Sequence, residues 1–338
     1  MWTEEKLENL LTTPSQGLIE DIKKIKGDIF ILGAGGKMGP TLAILAKNAC
    51  NAAGIDKRIF AVSRFSNKDV VSRLEACGVD IIASDLMEEG ALESIPDAEN
   101  IIFMAGKKFG TNGNECETWS MNASLPTLVC RRFKKSNIVV FSTGNIYPQV
   151  PITSGGCTED VKPAPIGEYC MSSLARERIF EFAARKYESK VLFYRLNYAI
   201  DLRYGVLYDI ASKILADKPV NLETPNFNCV WQGYANEIAI RSLLRVDSPA
   251  QILNVTGPET ISVRYAAEQL GKYLGKTPVF EGEEGSKAYI SNAAKCFEWF
   301  GYPSVTLNQM IRWQAEWILD GGRTLNLPTH FEERKGNY

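Results

Sequence analysis

Apolar residues recur near helical spacing at Leu7, Leu10, Leu11, Leu18, Ile22 and Ile25, with Pro14 between them. That pattern predicts a helical extension over residues 1–26, interrupted at the proline. From residue 28 the chain changes to short unbroken apolar runs, each followed by a polar-faced segment. Runs at 28–36, 58–64, 79–86, 100–106 and 137–144 predict five strands, and segments near 38–53, 67–77 and 116–134 predict helices between them. Strands that are apolar throughout are buried on both faces. The expectation is an α/β doubly wound parallel sheet with helices on either side, binding ligands beyond the carboxyl ends of its strands.

After about residue 148 the rhythm loosens. The stretch 147–167 is rich in Pro, Gly, Ser and Thr and reads as a long loop. Residues 168–187 form a strong helical pattern and 191–197 a further strand, while 199–338 mixes helices and short strands. Three parts are therefore predicted: the extension at 1–26, a sheet domain at 27–198 with a return near 227–258, and a smaller C-terminal α+β lobe at 199–338 to hold substrate.

Composition narrows the class. The chain has 338 residues, more than one hydrophobic core usually organises, which agrees with two lobes. Thirty-eight basic against 40 acidic residues give a formal net charge of −2, which offers no electrostatic case for nucleic acid. No apolar stretch reaches the roughly 18 residues of a spanning helix, and no basic run points to a membrane surface. The opening MWTEEKLENL is acidic and amphipathic, unlike a signal peptide. Eight cysteines without CxxC pairs read as buried thiols in a reducing cytoplasm. The single histidine, His330, is too little for a His-based zinc site or a Ser-His-Asp triad, and no metal site is assigned.

Gly33, Gly36 and Gly39 stand in GxxGxxG spacing directly after the first strand, with Lys37 and Met38 inside the turn. Glycine permits the tight turn and lets backbone N–H groups approach a pyrophosphate seated at the N-terminus of the next helix. This is a Rossmann-like dinucleotide site. An NAD site usually has Asp or Glu at the end of the second strand, whereas this chain has Ser63 and Arg64, and an arginine can clamp a 2′-phosphate. NADP is favoured, with NAD the alternative. Asp85 and Leu86, after the third strand, are placed to meet the adenine.

These features recur in one order with Ala105-Gly106 after strand four, Ser142-Thr143 after strand five and Tyr169 opening a helix. Together they resemble the extended short-chain dehydrogenase/reductases, specifically the NAD-dependent epimerase/dehydratase family, over about residues 28–320. The later Arg195-Leu196-Asn197 and Leu253-Asn254-Val255 also look like that group's strand motifs. The resemblance implies hydride transfer at a carbinol carbon. Thr143, with Ser142 as second choice, would hold the substrate oxygen, and Tyr169 would exchange its proton. The family lysine four residues after the tyrosine falls on Ser173, so the lysine is missing. A cation beside a tyrosine lowers its pKa by roughly 1–3 units, and Ser173 can only hydrogen-bond a ribose hydroxyl. Three readings stay open: another cation substitutes, with Lys107 or Lys108 on the correct sheet edge; the oxidised nicotinamide's own charge suffices; or cofactor binds without turnover.

Relatives that dehydrate nucleotide sugars carry an Asp-Glu pair after the Ser/Thr, where this chain has Gly144-Asn145, so 4,6-dehydration is disfavoured. Substrate contacts are expected from Lys108, Asn122, Asn145, Asn197, Arg203, Tyr204, Trp231 and Gln232, a set suited to a polyol. The C-terminal THFEERKGNY reads as a surface tail, and His330 matters only if it folds over the cleft. The stripe Leu174, Phe180 and Ala184 either supports a homodimer, as in relatives, or packs on the sheet. The sequence thus predicts an NAD(P)-dependent oxidoreductase or epimerase acting on a sugar-like alcohol or ketone. The alternative is a catalytically silent cofactor-binding sensor of the same fold.

Overall fold

In the computed structural model, which describes residues 1–108, 110–327 and 329–336, the apolar runs line up in one sheet. Its strands are β1 (Ile29–Leu32), β2 (Ile59–Ser63), β3 (Asp80–Ala83), β4 (Asn100–Phe103), β5 (Asn137–Thr143), β6 (Lys190–Leu196) and β7 (Gln251–Val255). All neighbours are parallel, in the order β3-β2-β1-β4-β5-β6-β7. The chain reverses its direction of sheet growth between β1 and β4, the place where such folds bind ligands.

Side chains alternate across this sheet, which explains the unbroken hydrophobicity. Ile29, Ile31, Ala61 and Val139 face one buried layer, and Phe30, Leu32, Val62 and Val140 face the other. On the first face lie α2 (Gln16–Ile22), α3 (Gly39–Ala53), α9 (Gln232–Arg241) and α11 (Ala294–Phe300). On the second lie α6 (Leu125–Arg132) and α7 (Glu168–Tyr187). Phe180 and Ala184 of α7 are buried against that face, with Phe180 5.3 Å from the Phe103 ring, so this part of the helix's apolar stripe packs on the sheet. The outer flank carries α4 (Lys68–Ala76) beside β3.

The predicted helix at 116–134 is broken into α5 (Glu115–Trp119), a π-turn over Ser120–Ser124 and α6. Pro126 has no N–H for the ladder, and the wider turn before it accommodates the loss. The extension is two helices, α1 (Glu4–Thr12) and α2, capped by Thr3 and Ser15, with Pro14 between. Helices α8 (Val206–Leu215), α10 (Val263–Leu274) and α12 (Leu307–Leu319) form a second core, which α1 joins through Leu7 and Leu11. The return to the sheet comprises α9 and β7, and extends further to α11. No helix among the described residues is long and apolar enough to cross a membrane.

Candidate active site

Two adjoining cavities open at the carboxyl edge of the sheet, and Met104 and Gly106 line both. The outer one, about 280 Å³, is bounded by Gly33, Gly36, Ser63, Arg64, Asp85, Leu86 and Ala105. Gly33 has φ +93° and its N–H donates to Val62 O at 2.9 Å. A Cβ there would come within 2.5 Å of Ala105 N, so the turn after β1 lies against the end of β4 with no room for a side chain. Beyond the turn Met38 is the N-cap of α3, which begins at Gly39 with Pro40 in its first turn. Such a cradle fits a pyrophosphate. Arg64 Nη1 lies 3.7 Å from Asp85 Oδ2, a partly exposed pairing across the ends of β2 and β3.

The inner cavity, about 230 Å³, holds the candidate chemistry. Thr143 ends β5 and Tyr169 lies in the first turn of α7; both line this cavity with Ser173, whose Oγ donates to Tyr169 O at 2.8 Å. Burial pushes the Tyr169 pKa up, while Thr143, Arg176 and Ser173 pull against it. Tyr169 is therefore protonated at neutral pH. Lys37 Nζ sits 3.1 Å from the Tyr204 ring centroid. Its pKa is pushed down to about 7, by burial foremost and then by Lys108. Lys108 Nζ donates to Thr329 O at 3.1 Å and lies 5.6 Å from the Tyr169 ring centroid. Burial lowers its pKa to about 8. Asn145 and Asn197 complete the polar wall, and Asn197 Nδ2 donates to Asn228 Oδ1 at 2.6 Å.

Other residues singled out from the sequence are placed differently. Ser142 touches the cavity, but its Oγ donates to Glu177 at 2.6 Å. The Lys107 ammonium is paired with Glu117. Asn122 does not line the cavity: its amide bridges both backbone atoms of Lys107, Ser172 Oγ and Arg176. Arg203 is drawn away by Asp201, Glu4 and Glu8. Trp231 packs against Trp313 in the second core, and Gln232 donates to Thr41 and Asp201. The polar tail, in contrast, docks. Thr329 lines the cavity, Phe331 is buried near Phe227, and Arg334 donates to Gln149. The last two residues of the tail lie outside the described residues.

Arg176, Tyr198 and Thr329 line the cavity without having been singled out from the sequence. A signal existed for Arg176: it lies seven residues, about two helical turns, after Tyr169 and so shares its face. Its guanidinium is buried, donating to Phe141 O at 2.8 Å and Asn122 Oδ1 at 2.5 Å. Burial lowers its pKa to about 10, so it stays charged at neutral pH.

A parallel sheet with a glycine turn at its switch point defines a Rossmann-like α/β protein. Residues 29–200, just over half of the chain, match the NAD dependent epimerase/dehydratase family, and the chain belongs to that family. The resemblance read from the sequence is thereby borne out. No curated protein sequence matches the chain. Among solved structures it is similar to UDP-glucuronic acid 4-epimerase from Bacillus cereus in complex with UDP-glucuronic acid and NAD. That likeness has a TM-score of 0.70 at 16% identity, covering 87% of this chain and 99% of that one. It is also similar to UDP-glucose 4-epimerase from Thermotoga maritima with UDP-glucose, with a TM-score of 0.69 at 17% identity over 87% and 99% of the two chains. The Bordetella bronchiseptica enzyme WbmG in complex with NAD gives 0.70 at 18% identity over 89% and 97%. At such identities the likeness is one of fold.

Proposed function

We propose that this protein is a nicotinamide-dinucleotide-dependent oxidoreductase or epimerase acting on a hydroxyl or keto group of a sugar or sugar derivative. The observation that carries the reading is that Tyr169 and Thr143 line one cavity that shares a wall with the glycine-turn cavity. Gly33, Gly36, Lys37, Met38 and Gly39 would hold the pyrophosphate, Ser63, Arg64, Asp85 and Leu86 the adenosine, and Ala105, Gly106 and Ser173 the nicotinamide half. The dinucleotide, when bound, supplies a hydride acceptor or donor.

The chain's own residues then position and protonate. Thr143 donates to or accepts from the substrate oxygen and fixes its place beside the phenol. Tyr169, protonated at rest, gives its proton to that oxygen in the reductive direction and recovers it in the oxidative one. Among the described residues no carboxylate lines the inner cavity, which disfavours 4,6-dehydration. Lys108, Asn145, Asn197 and Tyr204 are placed to meet substrate hydroxyl or carboxylate oxygens, and the docked tail closes that side. The relatives' ligands make UDP-sugars one arm of a substrate panel, with free sugars and sugar acids the other. Eight free thiols, seven of them wholly or partly buried, support a reducing cytoplasm.

The deciding experiment offers this panel with NAD and with NADP, following the nicotinamide absorbance and, for epimerisation, the product stereochemistry. Turnover that falls more than about a hundredfold in Tyr169→Phe, with dinucleotide binding kept, supports the reading. Dinucleotide binding without turnover across the panel favours the silent sensor, and no binding of either dinucleotide overturns both.

A further inference from the structure

We propose that Arg176 carries the positive charge that favours the phenolate form of Tyr169, and that Gly106 lacks a side chain so that this guanidinium can reach its place. The inference rests on Tyr169 being the proton relay proposed above. It makes Arg176 a positioning residue acting through the tyrosine.

Gly106 and Arg176 are complementary in shape. A methyl group on Gly106 would overlap Nη2 of Arg176 and come within 2.9 Å of Asn122 Oδ1. The guanidinium thus lies directly under the backbone of Gly106, which lines both cavities, and itself lines the inner one. Its hydrogen-bond acceptors are neutral, the Phe141 carbonyl and the Asn122 amide oxygen, and its Nε has no partner among the described residues. The adjacent Glu177 is already committed to Arg195 and Ser142. A buried cation held by neutral oxygens is unfavourable unless negative charge can develop within its reach. Tyr169 supplies that partner: it lies two turns before Arg176 on the same face of α7 and both line the inner cavity, so the guanidinium favours the phenolate and the phenolate the guanidinium.

The other cations are less suited. Lys107 is paired with Glu117, Lys37 lies on the Tyr204 ring, and Lys108 faces the Tyr169 ring 5.6 Å from its centroid. Lys108 also loses its charge near pH 8, whereas Arg176 keeps its own. The titratable groups that bear on the pair are Cys170 on α7, Lys108 after β4, Tyr198 and Tyr204 from the second lobe, and Glu177.

A fluorinated tyrosine at position 169, which titrates at lower pH, reports the phenol by ¹⁹F NMR without any substrate. Arg176→Met is expected to raise its titration midpoint by roughly one pH unit or more. Arg176→Lys should return part of the shift, and Arg176→Met with Ser173→Lys should return most of it. If Arg176→Met fails to fold, Gly106→Ala displaces the guanidinium while keeping its charge, and should move the midpoint in the same direction. An unmoved midpoint in folded Arg176→Met, or in folded Gly106→Ala where that variant stands in, overturns the proposal. A shifted midpoint in a protein without turnover keeps the proposal and removes the catalytic reading. Turnover with an unmoved midpoint does the reverse.

Discussion

Glu177 accepts two hydrogen bonds from Arg195, at 2.9 Å from Nε and 2.7 Å from Nη2, with both side chains almost wholly buried. The same carboxylate takes Ser142 Oγ at 2.6 Å, and Arg195 Nη1 donates to Tyr147 Oη, which donates to Asn254. This chain of bonds ties α7, β5, β6 and β7 together directly beneath Thr143 and Tyr169.

Breaking one side of a buried ion pair leaves the other charge uncompensated. Glu177→Gln is expected to cost about 3–5 kcal/mol of stability in denaturant unfolding. Ser142→Ala should cost about 1 kcal/mol and leave most of the turnover, because its hydroxyl serves Glu177. A loss of activity in Ser142→Ala as large as that in Thr143→Ala would show that Ser142 contacts substrate.

Arg64 is largely exposed and its pairing with Asp85 is loose, so it is free to turn toward a 2′-phosphate. Arg64→Ala should weaken NADP binding at least about tenfold and NAD binding little, as calorimetry would show. Equal losses for both dinucleotides would remove the case for NADP.

Lys37 gives the unliganded protein a pH signature. Its folded-state pKa of about 7 lies below the unfolded value of about 10.4. Between those limits the unfolded chain holds a proton that the native one has released, so this residue's contribution to stability rises with pH from about 7 to about 10. Lys37→Met should flatten that part of the Tm profile, with a remainder from Lys108 beginning near pH 8. An identical profile in the variant would place the Lys37 ammonium in water.

The tail is held by Phe331 in the second core, by Asp209 on Thr329 and by Arg334 on Gln149. Phe331→Ala should release it: limited proteolysis should cut beyond residue 327 sooner. The Tm should move by less than the roughly 3–5 kcal/mol of a closed-core truncation implies, since the segment can detach without unfolding the lobe. Unchanged cleavage would show that the polar contacts suffice.

The sheet was legible because parallel strands covered on both sides must be apolar without interruption, and each run found in the sequence contains a strand. The glycine turn was legible because its spacing answers to backbone geometry. The helix at 168–187 matched residue for residue. Less could be read where side chains choose among neighbours distant in sequence. In the sequence Lys107 reads as an available cation, whereas in the fold Glu117 pairs with it, and the reach of Arg176 depends on the bare backbone at Gly106. Trp231 lies in a two-residue strand that gives no period and Gln232 opens α9, so nothing in the sequence tells which way they face. The docked tail is fixed by scattered single contacts that leave no pattern.

The two N-terminal helices bridge both bodies: α1 packs on α3 and α9 while Trp2, Leu7 and Leu11 join the core of the second lobe, and Leu18 and Ile22 belong to that of the sheet. Only the few residues around Pro14 separate the two anchorages. Lobes bracketed so closely cannot melt in turn, because loosening either one strips a helix from its neighbour. Scanning calorimetry should accordingly record a single endotherm.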